Sequence, residues 1–172
     1  MEILKELHKI KAFAFDVDGV FTDGSVMLHP GGEFIRMMNI KDGFAVQHAV
    51  KSGYPVAIIT GGFSKMVKKR FTALGVKAIY MKSGNKKEAF KDFLLKYRLE
   101  KADVLYMGDD LPDFEVMQLA GFAACPGDAA VEIKKISHYI SPINGGKGSV
   151  RDIIEKVMKV QEKWLNDYSF IW

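Results

Sequence analysis

The stretch Phe13-Ala14-Phe15-Asp16-Val17-Asp18-Gly19-Val20-Phe21-Thr22-Asp23 changes character in its middle. Phe13, Ala14 and Phe15 form a short apolar run of the kind a fully buried parallel strand needs. The run stops on two carboxylates, Asp16 and Asp18, with Gly19 behind them. A buried strand that opens onto paired acids places them at its carboxyl end, where open α/β sheets bind ligands. Carboxylates this close repel one another, so a bound cation or a shared proton is the natural compensation. The plainer alternative is a strand followed by an acidic turn, because Asp and Gly are ordinary turn residues.

Working outward, further apolar runs end in polar groups. Val56-Ala57-Ile58-Ile59 runs into Thr60-Gly61-Gly62, and Val104-Leu105-Tyr106-Met107 into Gly108-Asp109-Asp110 with Asp113 just beyond. Between them, Ala78-Ile79-Tyr80-Met81 precedes Ser83-Gly84-Asn85-Lys86 at the start of a predicted helix. Phe122–Cys125 reads as a fifth strand and Tyr139-Ile140 as a short sixth. Helical segments fill the gaps. Asp42 is the expected cap of a helix from about Gly43 to Lys51, and Ser64 caps one that buries Met66, Val67, Phe71 and Leu74. Another starts at Lys86, a short one follows Pro112, and the last runs from about Ser149 to Leu165. Strand-helix alternation with short links predicts a Rossmann-like parallel sheet with helices on both faces. Residues 25–37 read as a small β-hairpin inserted after the first strand, turning at Pro30-Gly31-Gly32. The spacings from Asp18 to Thr60 and from Thr60 to Lys86 leave no room for a cap domain. With no repeat or linker, residues 1–172 read as one domain, closed by a helix and tail over about 149–172.

Composition narrows the class. The chain is 48% hydrophobic and 27% charged, ordinary values for a soluble globular protein. No segment approaches a membrane span, and the mixed-charge amphipathic start is not a signal peptide. One cysteine, Cys125, excludes an intrachain disulfide, so the cytoplasm is the expected location. A net charge of +4 invites a nucleic-acid reading, but the lysines are spread over several helices without an aromatic-basic platform. No nucleic-acid or membrane partner is expected. His8, His29, His48 and His138 lack metal-ligand spacing, which argues against zinc.

The ordered set Asp16-Val17-Asp18-Gly19, Thr60 after a strand, Lys86 and Gly108-Asp109-Asp110-Leu111-Pro112-Asp113 closely resembles the haloacid dehalogenase superfamily of aspartate-dependent phosphatases. The resemblance implies a Mg²⁺ phosphatase of the capless class. Asp16 is then the nucleophile, Asp18 the acid and base, and Thr60, Gly61 and Lys86 the phosphate-binding groups. Asp16, Asp109 and the Asp18 carbonyl would hold Mg²⁺, with Asp110 and Asp113 in the outer shell or orienting Lys86. A Mg²⁺ ion is chemically apt, since an aspartate cannot approach a dianionic phosphate until its own charge is offset. Thr60 as a strand-end cap and Lys86 as a solvated helix start are the structural alternatives.

Over roughly Ile10 to Trp164 the chain is similar to the 3-deoxy-D-manno-octulosonate 8-phosphate phosphatase family. The similarity rests on Asp18–Gly24, Met38–Gly43, Gly108–Leu111 and Asn144–Gly148. It implies a tetrameric Mg²⁺ enzyme that releases phosphate from a keto-deoxy sugar acid for lipopolysaccharide synthesis. Asn39, Ile40, Lys41, Asp42, Gly43 and Arg70 would contact the sugar acid, a guanidinium suiting its carboxylate. Arg70 as a solvated helix position is the alternative. Lys41, Gly62 and Gln47 depart from the pattern, standing where the family usually has Arg, Arg and a basic residue. Phosphatases of nine-carbon keto-deoxy sugar acids share the scaffold and are the nearest rivals. A receiver-like phospho-accepting switch also combines Asp, Thr, Lys and Mg²⁺, but there the adjacent acid pair comes early; here Asp109-Asp110 comes last. The apolar tail Asp167–Trp172 reads as a frayed end, although family members can place this region against a neighbour's site.

Overall fold

The computed structural model describes residues 2–171; Trp172, at the end of the apolar tail, lies outside the described residues. Short, wholly buried runs form the strands β1 (Ala12–Phe15), β4 (Val56–Ile59), β6 (Val104–Met107) and β7 (Phe122–Cys125). With β5 (Ala78–Tyr80) and β8 (Tyr139–Ile140) they make one sheet in the order β5-β4-β1-β6-β7-β8, every pairing parallel. In β1, Phe13 is registered with Val56 on one side and Leu105 on the other. β2 (Met27–Leu28) and β3 (Phe34–Ile35) form the expected antiparallel hairpin apart from that sheet.

The pleat of the strands divides the core. Phe13, Phe15, Ile58, Leu105 and Met107 face one side, where α2 (Ile40–Lys51), α3 (Lys65–Ala73) and α7 (Ser149–Val160) cover them. Ala12, Ala14, Ile59, Val104 and Tyr106 face the other, under α4 (Lys86–Tyr97), α5 (Phe114–Leu119) and α6 (Val131–Ile136). Burial on both faces explains why these strands read as continuous apolar runs without alternation. The amphipathic α1 (Glu2–Lys9) packs on α7. The chain leaves β1 toward β4 and later returns to its opposite edge as β6, so β1 sits at the switch point of the sheet. Among the described residues, the hairpin is the only strand-bearing insertion between β1 and α2, and no cap domain interrupts the sheet. Among the described residues, no helix is long and apolar enough to cross a membrane. Cys125 is a buried free thiol.

Four local expectations need correction. The second helix begins at Ile40, not Gly43, and Asn39 caps it by accepting from Lys41 N. Asp42 caps a different helix: its Oδ1 accepts from Arg151 N at 2.7 Å, in the first turn of α7. Gly148, at the N-cap of α7, has no side chain, and Asp42 supplies the missing acceptor from across the core. Met66 is exposed beside the hairpin instead of joining Val67 and Phe71 in the core. The last helix ends at Val160, and the buried Trp164 folds back from the turn beyond it.

Candidate active site

The site's carboxylates and Thr60 are hung on the carboxyl ends of β1, β4 and β6, and Lys86 comes from the start of α4, after β5. Asp16 follows β1, and its N–H donates to Met107 O of β6 at 3.0 Å, which sets it beside Asp109. The chain then curls tightly: the amides of Val20, Phe21 and Thr22 all point at Val17 O, at 3.2, 2.9 and 3.3 Å. Thr22 Oγ1 braces the curl by accepting from Gly19 N at 3.1 Å and Gly24 N at 3.2 Å. Gly19 has a φ of +87°, and a Cβ there would fall inside the Asp109 carboxylate. Only glycine lets the loop come this close to that acid. The Asn144–Gly148 segment packs behind the same loop. A Cβ on Gly145 would collide with Gly19 O, and one on Gly146 would lie 2.6 Å from Asp23 N. Gly145 and Gly146 therefore serve close backbone packing against this turn.

Lys86, the first residue of α4, is buried, which removes the solvated-helix alternative. Its Nζ donates to Asp16 Oδ1 at 2.8 Å and to Asp113 Oδ1 at 2.7 Å. Asp113 is itself fixed by the Tyr106 hydroxyl at 2.8 Å and by Asp109 N at 3.3 Å. Asp110 lies outside this cluster, exposed, with Oδ1 accepting from Leu111 N to cap a 3₁₀ turn. Thr60 is buried at the end of β4; its Oγ1 accepts from Gly62 N at 3.2 Å, so it does cap the strand end while lining the site. These groups surround an open cleft of about 490 Å³, lined by Asp16, Asp18, Thr60, Lys86, Asp109 and Gly62 among others.

The electrostatics of this cleft call for a cation. Burial, reinforced by the Asp113 carboxylate, pushes the pKa of Asp16 up to about 8 despite Lys86. Burial, with Asp113 and Asp110, pushes Asp109 up to about 7. Carboxylate oxygens of Asp16, Asp109 and Asp113 all lie within 4.8 Å of one another. An all-oxygen donor set of this kind fits a hard divalent cation such as Mg²⁺. Both oxygens of Asp113 already accept hydrogen bonds, Oδ1 from Lys86 and Tyr106 and Oδ2 from Asp109 N, which leaves Asp16 and Asp109 as the pair best disposed to hold the ion.

The expected sugar-acid residues lie elsewhere. Asn39, Ile40 and Lys41 sit at the start of α2, and Arg70 approaches Gly43 there. Arg70 lines a second groove with Phe34, Ile35 and Met66, distinct from the cleft that holds Asp16. Asp42 is fully buried; its Oδ1 accepts from Arg151 N of α7, while its Oδ2 has no hydrogen-bond partner among the described residues.

Sequence reasoning passed over two groups that the structure brings to the site. Tyr106 was legible as a polar-tipped residue on a buried strand, where its hydroxyl needs a partner. Arg36 carried no local signal; it reaches back from the hairpin and grips Asp18, Nε to Oδ1 at 2.6 Å and Nη2 to Oδ2 at 3.0 Å.

Comparison with known proteins agrees with this geometry. A family model described as haloacid dehalogenase-like hydrolase matches residues 73–154. The 3-deoxy-D-manno-octulosonate 8-phosphate phosphatase of Escherichia coli K12 is 34% identical over 94% of this chain and 86% of that protein. The crystal structure of the Yersinia pestis phosphatase of the same name superposes with a TM-score of 0.92 at 31% identity, covering 94% of this chain and 88% of the other. That of the Moraxella catarrhalis phosphatase, in complex with a magnesium ion, a phosphate ion and a KDO molecule, gives 0.91 at 34% identity over 95% and 94%. With about a third of its residues identical over nearly its full length, the chain belongs to the 3-deoxy-D-manno-octulosonate 8-phosphate phosphatase family of haloacid dehalogenase-like hydrolases.

Proposed function

We propose that this chain hydrolyses 3-deoxy-D-manno-octulosonate 8-phosphate to the free sugar acid and phosphate, the step that yields a lipopolysaccharide precursor. The observation that carries the proposal is Lys86 bridging Asp16 and Asp113 beside Asp109, at the open end of a family fold. Mg²⁺, held by Asp16, Asp109 and the Asp18 carbonyl, supplies the positive charge that lets an aspartate face a phosphate dianion. Asp16 attacks phosphorus in line, forming an aspartyl phosphate, while Asp18 gives its proton to the departing alkoxide. Asp18 then takes a proton from the water that hydrolyses this intermediate. Lys86, the Thr60 hydroxyl and the Gly61 amide bind the phosphate oxygens. Asp113 and Tyr106 fix the lysine, and Asp110 acts from the outer shell.

Phosphate release in the presence of Mg²⁺ or of excess chelator tests the scheme. Chelator should silence the protein, and Mg²⁺ should restore it far better than Ca²⁺, whose larger and looser shell misplaces nucleophile and phosphate. Full turnover in chelator would remove the metal assignment to Asp16 and Asp109.

The hairpin supports a reading of the assembly. Leu28, Phe34, Ile35 and Met37 are exposed, more apolar surface than a two-stranded ribbon keeps in water. We read residues 1–172 as one cytoplasmic domain that forms a homotetramer through these hairpins. Asn39, Ile40, Lys41, Gly43 and Arg70 would then serve the sugar acid across a subunit boundary, since they lie outside the phosphate cleft of their own chain. Light scattering should give a tetramer for the wild type. Phe34→Glu with Ile35→Lys should give smaller species and lower kcat/KM for the sugar acid by about tenfold or more. A wild-type monomer at micromolar concentration that still selects its sugar acid would exclude this assembly.

A further inference from the structure

Position 62 faces the cleft but carries no side chain. A Cβ built on Gly62 would stand 3.3 Å from Arg36 Nη2, 3.6 Å from Asp18 Oδ2 and 3.6 Å from Thr60 Oγ1. The space that a residue-62 side chain would enter is thus occupied by the Arg36 guanidinium, delivered from the hairpin. Gly62 has no left-handed φ that would demand glycine, so the missing side chain is not explained by its backbone. What the small residue does permit is the approach of Arg36.

The contact that Arg36 makes there has a consequence for the acid. Its fork takes both oxygens of Asp18, at 2.6 and 3.0 Å, while the arginine side chain is only 8% exposed. While both are held, neither oxygen of Asp18 is free of the guanidinium when a leaving group arrives. If it lets go, a shielded guanidinium is left without its carboxylate, which is costly unless another anion takes its place. A guanidinium fork fits a second carboxylate as well as the first. The other acids that act on Arg36 are Asp16, which Lys86 already holds at 2.8 Å, and Glu33, which stands on the exposed hairpin with its Oε1 accepting from the Ser64 hydroxyl at 3.2 Å.

We propose that Arg36 is a specificity-determining residue: from the hairpin it sets a guanidinium where a residue-62 side chain would stand, and exchanges Asp18 for an anionic leaving group that carries its own carboxylate. Recognition of the sugar acid is thereby coupled to release of the acid that protonates it. Phosphate esters with uncharged leaving groups leave the fork on Asp18. This rests on the phosphatase reading above and names the group that makes it selective.

The test compares kcat/KM for the sugar-acid 8-phosphate and for an uncharged sugar phosphate such as glucose 6-phosphate. In Arg36→Met, which keeps the apolar stem and removes the fork, the ratio between the two should fall about 30-fold or more. Arg36→Lys, which keeps the charge without the fork, should also lower it, by less. Adding Gly62→Arg to Arg36→Met should recover most of the ratio. A structural role for Arg36 would depress both substrates together, and an unchanged ratio overturns the proposal. A ratio that stays low in the double variant overturns the equivalence of the two positions. Wild-type protein that turns over p-nitrophenyl phosphate but no sugar-acid phosphate would instead overturn the functional reading, so the two failures are distinct.

Discussion

Asp16→Asn should lower turnover by about 10⁴-fold or more, because an amide neither attacks phosphorus nor holds a divalent cation well. The substitution is isosteric, and Lys86 keeps its bond to Asp113, so the fold should survive. The electrostatics suggest that it will do more than survive. Burial and Asp113 raise the carboxyl of Asp16 from 3.8 to about 8. A carboxyl with a raised folded pKa contributes its full stability below its unfolded value and loses it as pH climbs toward the folded one. At pH 7.5 the metal-free wild type has therefore lost most of that contribution, and an asparagine has nothing to lose. The variant should melt at or above the wild-type temperature in chelator while being inactive with Mg²⁺. More than a few per cent residual activity in the purified variant would be incompatible with a nucleophilic Asp16.

Gly19→Ala carries the second large effect. The backbone there is left-handed, which costs a non-glycine residue roughly 1–2 kcal/mol. The larger cost is local: the new methyl would occupy the position of the Asp109 carboxylate. A side-chain carboxylate can rotate away, so the sheet should remain intact, but the acid assigned to the metal would leave its place. Activity at ordinary Mg²⁺ should drop by about 10³-fold, with a melting temperature only a few degrees lower. Isothermal titration with Mg²⁺ should show weakened binding to match. Normal Mg²⁺ affinity and near-normal turnover would mean that Asp109 is not a ligand.

Most of the phosphate end of the site was legible because it is local to strand ends. Buried parallel strands declare themselves as short apolar runs; Asp16 and Thr60 each follow one directly, and Asp109 comes one glycine after another. Lys86 and Asp113 were placed by motif spacing, and the structure supplies the physical link between them, a buried ion pair of 2.7 Å. Misreadings arose where a residue's partner is distant in sequence. Asp42 looked like the cap of its own helix, yet its acceptor work is done for α7, 109 positions away. Arg36 looked like one more hairpin residue because nothing near it in sequence reveals that it turns back on Asp18. Trp164 prolonged the helical apolar period beyond Val160, since burial keeps that rhythm even where the chain has left the helix. The short α6 was missed because six residues give too little periodicity to read.

The departures at Lys41, Gln47 and Gly62 acquire different meanings in three dimensions. Gln47 is occupied with Lys51 on the exposed side of α2, at 3.1 Å. Lys41 keeps a positive charge at an exposed helix start. At Gly62 a guanidinium is still present beside the cleft, contributed by Arg36. A basic residue therefore stands beside the cleft although position 62 carries no side chain.

Side-by-side kcat/KM values for the eight-carbon and nine-carbon keto-deoxy sugar-acid phosphates, measured by phosphate release with Mg²⁺ on the wild-type protein, bear most directly on the assigned activity. A preference of about 100-fold or more for 3-deoxy-D-manno-octulosonate 8-phosphate is the expected result. Equal or greater efficiency with the nine-carbon 9-phosphate, or no release from either, would contradict it.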